Sequence, residues 1–197
     1  MTGSTALKMM AAMCIAVLMA MTALPAHAQD NTAALWSAVK QGRAFAMMRH
    51  ALAPGTGDPA NFDVNDCSTQ RNLNDVGRNQ ARRTGDAFRK AGIEAAQVMT
   101  SAWCRCQETA RLLNIGEPAV LPPLNSFFRR GGEVRERQTA ELAQWLSARQ
   151  PGAALVLVTH QVNISGLTGK YASSGEIVVV DVDVSDGVKV LGSIPAF

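Results

Sequence analysis

The chain is poor in histidine and close to charge balance. It holds three histidines in 197 residues, and His27 lies in an N-terminal leader-like segment, which leaves His50 and His160 for the rest. Neither belongs to a His-Glu-x-x-His pattern, and the cysteines form no Cys-x-x-Cys pair. The usual sequence marks of a zinc hydrolase or a thioredoxin-like redox centre are therefore missing. The formal charge of +3 is too small to argue by itself for nucleic-acid or membrane binding. There is no internal repeat, low-complexity tract or heptad pattern, which excludes solenoid and coiled-coil architectures.

What is present begins with Lys8, an uncharged apolar stretch from Met9 to Leu24, Pro25 and the small-residue pattern Ala26-His27-Ala28. This reads as a secretory signal peptide over residues 1–28, too short and wrongly flanked for a membrane span. Residues 29–197 then make one domain, periplasmic or secreted, with no stable membrane insertion after the leader is removed. Cys14 falls in the leader, and Cys67, Cys104 and Cys106 lie beyond it. Export permits one disulfide. Cys104 and Cys106 are too close to pair comfortably, so the bond joins Cys67 to Cys104 or Cys67 to Cys106, and the spacing does not choose.

Hydrophobic periodicity sets the order of elements. A short amphipathic helix is expected over 31–42 with Leu35, Trp36 and Val39 inward, closed by Gly42. The apolar run Ala44-Phe45-Ala46-Met47-Met48 reads as a buried strand that ends in Arg49-His50. Residues 51–72 are rich in turn formers and make a long loop. Asn74 caps a helix to about Ala91, with Val76, Gln80, Thr84, Phe88 and Ala91 inward, Gly92 as its stop, and Arg78, Arg82, Arg83 and Arg89 on a solvated face. A strand over 97–101 and a helix over 104–114 follow, then an irregular excursion over 117–132 and a helix over 133–149. Ala154 to Thr159 is apolar throughout, as expected of a central parallel strand, and ends in His160. A short helix over 164–168, a strand over 176–184, a hairpin turn at Ser185-Asp186-Gly187 and an edge strand over 188–191 complete the chain. This alternation predicts a three-layer α/β/α sandwich, mostly parallel with an antiparallel edge. In such a sheet Arg49, His50, Arg105 and His160 share the rim where α/β folds place ligands.

These residues resemble a known family. Met48-Arg49-His50 is similar to the Arg-His signature of the histidine phosphatase superfamily, which includes the phosphoglycerate mutases. Leu73-Asn74-Asp75-Val76-Gly77-Arg78-Asn79-Gln80-Ala81 resembles its leucine, glycine and glutamine-alanine pattern. Ser101-Ala102-Trp103-Cys104-Arg105-Cys106-Gln107-Glu108-Thr109-Ala110 resembles its second-arginine motif, and Val158-Thr159-His160-Gln161 the segment of its second histidine. The four matches come in order and span 44–184. The resemblance implies a phosphoglycerate mutase-like fold and a phosphomonoesterase in which His50 becomes phosphohistidine. Arg49 and Arg105 would clamp phosphate oxygens through planar guanidinium donors. His160 would donate to the same oxygens, and the helix opening near Cys104 would add its amides. No metal or cofactor is called for.

The resemblance also implies an acidic proton donor between the second arginine and the second histidine. Leu124-Asn125-Ser126-Phe127-Phe128 holds no carboxylate, so Glu133 is the candidate, ahead of Glu136 and Glu117. Gln161 and Asn65 are candidate substrate contacts. For Asn65, Asp66 and Arg71 turn chemistry is the stronger reading, and the three tryptophans read as packing residues. Arg129 and Arg130, with Arg135 and Arg137, fit a solvated helix start as well as a substrate funnel. The expected substrate is a small phosphorylated molecule, such as a sugar phosphate of the cell envelope, and not nucleic acid. The rival reading is a binding protein that keeps the phosphate pocket without turnover.

Overall fold

The computed structural model describes residues 26–149, 152–181, 183 and 187–197. The leader expectation thus lies almost wholly outside the described residues, as does the centre of the turn at 185–187. The chain divides into two compact units, Met1–Ala34 and Leu35–Phe197. Of the first unit only the opening of helix α1 (Ala26–Lys40) is described, five residues earlier than the periodicity suggests. In the second, Leu35, Ala38 and Val39 are buried, and Gly42, at φ +66, turns the chain into β1 (Ala44–Arg49). The elements that follow are α2 (Asp75–Lys90), β2 (Gln97–Thr100), α3 (Cys104–Leu113), β3 (Pro118–Val120), α4 (Gly132–Ser147), β4 (Leu155–Thr159), α5 (Gln161–Thr168), β5 (Ile177–Asp181) and β6 (Val190–Ile194).

The sheet order is β3-β2-β4-β1-β5-β6. The first three pairings are parallel, while β5 and β6 run antiparallel at one margin, as the pattern implied. Strand alternation sorts the core. Ala46, Met48, Val156, Val158 and Val179 face α1, α2 and α3, whereas Phe45, Met47, Leu155, Leu157 and Val178 face α4 and α5. Each fully buried aliphatic or aromatic side chain contributes roughly 1.5–3 kcal/mol, and β4 is buried along its whole length. β3 was not legible in the sequence, because three residues opening on a proline carry no alternation; it pairs with β2 at the edge.

The inward face of α2 departs from expectation. Val76 is 58% exposed, and the helix buries Gly77, Ala81, Thr84, Gly85 and Phe88 instead. The reason is close backbone approach. A Cβ at Gly77 would meet the Leu52 carbonyl oxygen at 2.0 Å, and one at Gly85 the Leu113 carbonyl oxygen at 2.1 Å. The small stripe lets α2 lie directly on α3 and on the loop after β1. Asn74 caps α2 by accepting from the Gly77 amide, an interaction typically worth about 1 kcal/mol. Arg78 pairs with Glu108 and Asp75, and Arg89 donates to the last carbonyls of α3, so both serve the scaffold.

Candidate active site

The parallel register creates the site. Arg49 lies opposite Thr159 and Thr100 opposite Val158, so the carboxyl ends of β1, β4 and β2 deliver His50, His160 and Ser101 side by side. The His50 amide donates to the Thr159 carbonyl at 2.9 Å, and the two imidazole centroids lie 5.4 Å apart. They line a cavity of about 220 Å³ together with Arg49, Arg71, Arg105 and Asp58.

His50 is buried, and its Nδ1 lies 2.8 Å from the Ala51 carbonyl oxygen. A carbonyl can only accept, so Nδ1 carries the proton and Nε2 keeps its lone pair. Burial, and then the charges of Arg105, Arg71 and Arg49, lower the imidazole pKa to about 3 against the pull of the Ala51 carbonyl. The ring is neutral at any ordinary pH. Arg105, 3% exposed, donates from Nε to His50 Nε2 at 3.3 Å. Arg49 anchors one end of its guanidinium on the Ala172 carbonyl, and its buried Nε has no partner among the described residues. Arg71 spans the loop, donating to the Gly57 and Ala53 carbonyls. Three guanidiniums around one neutral imidazole form a strongly anion-attracting pocket.

His160 is held from behind. Its Nε2 lies 2.9 Å from Ser101 Oγ, while Arg105 Nη2 approaches its Nδ1 at 3.5 Å. Burial, reinforced by His50 and the three arginines, drives its pKa well down. Ser101 is itself placed by Asn125, whose Oδ1 accepts from the Ala102 amide at 2.8 Å and faces Ser101 Oγ at 3.3 Å. Asn125, in the segment searched for an acid, is thus a positioning residue. Cys106 is a buried thiol pushed up to about 12 by burial, 3.5 Å from His160 Nε2.

The family-like motifs resolve into physical roles. Thr109 Oγ1 accepts from the Ala51 amide and donates to the Arg105 carbonyl, and Glu108 holds Arg78. Gln80 accepts from the Leu52 amide and donates to the Ser174 carbonyl, tying together two loops of the rim. Cys67 is bonded to Cys104, which decides between the two pairings and pins the 51–72 loop to the start of α3.

Some expected residues are placed elsewhere. Glu133 stands exposed in the first turn of α4, outside the residues that line the cavity. Asn65 is exposed in a turn, its amide on Asp63, and does not line the cavity either. Gln161 does line it, but its Oε1 accepts from the Ala172 amide, so it orders the 170–172 loop under exposed Tyr171. The amides at the start of α3 are not aimed at the anion site. Cys104 N donates to Gln70 Oε1 and Trp103 N to Ser101 Oγ. The helix that opens onto the cavity is α5, whose Gln161 and Val162 line it just after His160. Trp103 does more than pack. Its ring edge meets His160, and its Nε1 donates to Asp58 at 3.0 Å.

Asp58 is the residue that sequence reasoning missed. Its carboxylate makes a two-pronged pair with Arg105, Nη1 to Oδ1 at 2.6 Å and Nη2 to Oδ2 at 3.2 Å. Burial alone would raise its pKa, but the hydrogen bonds and charge of Arg105, with the Arg71 amide and Trp103, outweigh that and hold it below the ordinary range. Among the described residues it is the one carboxylate lining the cavity. The only signal for it was a Gly-Asp-Pro turn in a long loop.

A family model for the histidine phosphatase superfamily (branch 1) matches residues 46–127. Over that stretch the chain is similar to the histidine phosphatase superfamily. No curated protein sequence matches it. Among solved structures it is similar to the mycobacterial glucosyl-3-phosphoglycerate phosphatase bound to inorganic phosphate, at 14% identity and TM-score 0.57, covering 79% of this chain and 97% of that one. It is also similar to the protein histidine phosphatase SixA complexed with tungstate, at 20% identity and TM-score 0.52, covering 77% and 96%. A SixA from Agrobacterium tumefaciens matches at 15% identity and TM-score 0.51, covering 78% and 97%. At such identities the shared property is the phosphoglycerate mutase-like α/β fold. The match to this superfamily's model supports phosphatase activity on phosphorylated substrates. Among the described residues no group of three or more His, Cys, Asp or Glu is arranged for a metal ion, and no helix is long and apolar enough to cross a membrane.

Proposed function

We propose that the protein is an exported phosphomonoesterase working through a phosphohistidine at His50, with Asp58 as the proton donor. The observation that carries this reading is the neutral His50 imidazole, its proton fixed on Nδ1 and its Nε2 lone pair held by the Arg105 Nε–H in a pocket walled by three guanidiniums. A neutral ring is a nucleophile, and the cations stabilise the charge spread over the transferring phosphoryl oxygens. Export is supported by the leader-like residues 1–28, and the Cys67–Cys104 disulfide suits an oxidising compartment.

The Asp58–Arg105 pair gives the order of events. A phosphate dianion takes over the Arg105 guanidinium, deprives Asp58 of its partner and places negative charge beside it. Both changes raise the affinity of the carboxyl for a proton. His50 Nε2 then attacks phosphorus, the bond to the ester oxygen breaks, and Asp58 gives its proton to that oxygen to release the alcohol. Water attacks the phosphohistidine with the Asp58 carboxylate taking its proton, and inorganic phosphate leaves with His50 restored. Once phosphate has taken Arg105 from its Nδ1, His160, held at Nε2 by Ser101, takes up a proton at Nδ1 and donates it to the same oxygens. Small sugar phosphates of the envelope are the substrate class that best suits an exported enzyme of this size.

Phosphate release from p-nitrophenyl phosphate with EDTA present tests the core claim. Activity in the wild type that vanishes in His50→Ala is expected, and undiminished activity in the variant would refute it. The Asp58 carboxylate lying on Arg105 favours one rival, a phosphate-binding protein without turnover. That rival predicts no hydrolysis while phosphate still raises the melting temperature.

A further inference from the structure

Beside the phosphate pocket lies a second cavity of about 270 Å³ that the reaction does not use. The two share Asp58, Ser126 and Phe128. A molecule whose phosphate faces His50 therefore continues into the second cavity past the group that protonates its leaving oxygen. One wall is Phe62 stacked on Trp103, with centroids 5.1 Å apart and planes at 22°. Phe128, 57% exposed, stands at the boundary of the two cavities. Arg129 and Arg130 complete the lining.

These two arginines differ from the ion-paired arginines of the fold. Arg78, Arg89, Arg105 and Arg137 each have a carboxylate within 4.0 Å, and among the described residues Arg129 and Arg130 have none. Nor are they needed for the transferring phosphoryl group, which Arg49, Arg71 and Arg105 already surround. Arg129 lies instead over Gly57, its Nη2 3.2 Å from where a Cβ would stand there. Gly57 lines the phosphate pocket, so the guanidinium is stationed where the two cavities adjoin. Aromatic faces at a solvent-open wall suit the C–H face of a ring, and unpaired guanidiniums suit an anion.

We propose that this cavity is a leaving-group subsite for a sugar phosphate bearing a second anionic group, the ring resting on Phe62 and Phe128 and the anion on Arg129 and Arg130. The assignment rests on the phosphatase reading and narrows its substrate class. The second anion is a phosphate or a carboxylate, and three esters sharing a C6 phosphate distinguish them. Glucose 6-phosphate has no second anion, glucose 1,6-bisphosphate adds a phosphate, and N-acetylmuramic acid 6-phosphate adds a carboxylate on the same kind of ring.

The experiment measures kcat/KM for all three with the wild type and with the double variant Arg129→Ala/Arg130→Ala. The wild type is expected to prefer at least one doubly anionic ester over glucose 6-phosphate by about tenfold or more, as charge-assisted hydrogen bonds allow. The double variant should lose most of that preference. Equal values for the three esters, or a preference that survives the double substitution, would overturn the proposal. Should the wild type hydrolyse neither these nor p-nitrophenyl phosphate, the phosphatase reading fails and the subsite is still decided by melting-temperature shifts. A larger shift with a doubly anionic ester, abolished in the double variant, supports the subsite, and equal shifts refute it.

Discussion

Replacing Asp58 by Asn separates two things the wild-type residue does at once. The carboxylate sits two-pronged on Arg105, and the pair is nearly dry, with side-chain exposures of 16% and 3%. Removing one member of a buried pair costs about 3–5 kcal/mol, because the other charge is left uncompensated. The Asp58→Asn protein should therefore be less stable when unliganded. The same loss becomes a gain for phosphate, which no longer competes with a carboxylate for Arg105. Allowing for the Trp103 and Arg71 donors that a displaced Asp58 gives up in either case, roughly 2 kcal/mol of that penalty should return on binding, about 30-fold in Kd. Catalysis should move the other way. An alkoxide needs its proton, so kcat on an alkyl phosphate should fall by about 10²–10⁴, while p-nitrophenolate leaves with little help. Calorimetry with inorganic phosphate, and kinetics on glucose 6-phosphate against p-nitrophenyl phosphate, report the two effects separately. Unchanged phosphate affinity together with an unchanged alkyl-to-aryl ratio would refute the account of Asp58.

Two further outcomes follow from the buried histidines. Both imidazoles have depressed pKa values in the fold, that of His50 to about 3, so below about 6.5 the unfolded chain binds protons that the native protein does not. Stability should fall as pH drops through that range, by up to about 2.7 kcal/mol per pH unit for the two groups together. Urea unfolding at pH 7 and pH 5.5 measures this, and a flat profile between them would contradict neutral histidines; Asp58, also depressed, keeps its contribution until below about pH 4. Asn125→Ala should release Ser101 and through it His160, lowering kcat on p-nitrophenyl phosphate about tenfold at nearly constant KM; a change confined to the melting temperature would reduce Asn125 to a structural residue.

The legibility of this protein in its sequence follows the range of its interactions. His50 and His160 were visible because each ends an apolar strand run, and parallel strands put their carboxyl ends on one rim. Arg105 was visible through a motif whose serine, glutamate, threonine and alanine now have roles: Ser101 on His160, Glu108 on Arg78, Thr109 on the Ala51 amide, Ala110 in the core. Asp58 was hidden for a physical reason. It lies in a stretch of glycine, proline and asparagine with no period, and its partners, at 103 and 105, are 45 and 47 positions away. The inward face of α2 misled in a related way. Apolar spacing favours Val76, but close backbone approach demands the smallest side chains, and hydrophobicity is silent on that requirement.

The position of the proposed acid on a loop, with the proposed nucleophile on the sheet, has its own logic. His50 and His160 sit at strand ends whose backbone ladders fix them, which suits groups that must meet phosphorus in line. A proton donor has to reach Arg105 in the empty site and the ester oxygen in the filled one, so it cannot share that rigidity. The loop that carries Asp58 is long, yet it is pinned where drift would be costly: Cys67–Cys104 closes a 37-residue separation, worth about 4 kcal/mol in loop-closure terms, and Arg71 holds the Gly57 carbonyl. Between those two anchors Asp58 is held at the edge of the cavity. The same tether keeps Gly57 beneath the Arg129 guanidinium. The seam between the phosphate pocket and the neighbouring cavity is therefore set by one stapled loop, and changes in that loop should alter proton delivery and leaving-group choice together.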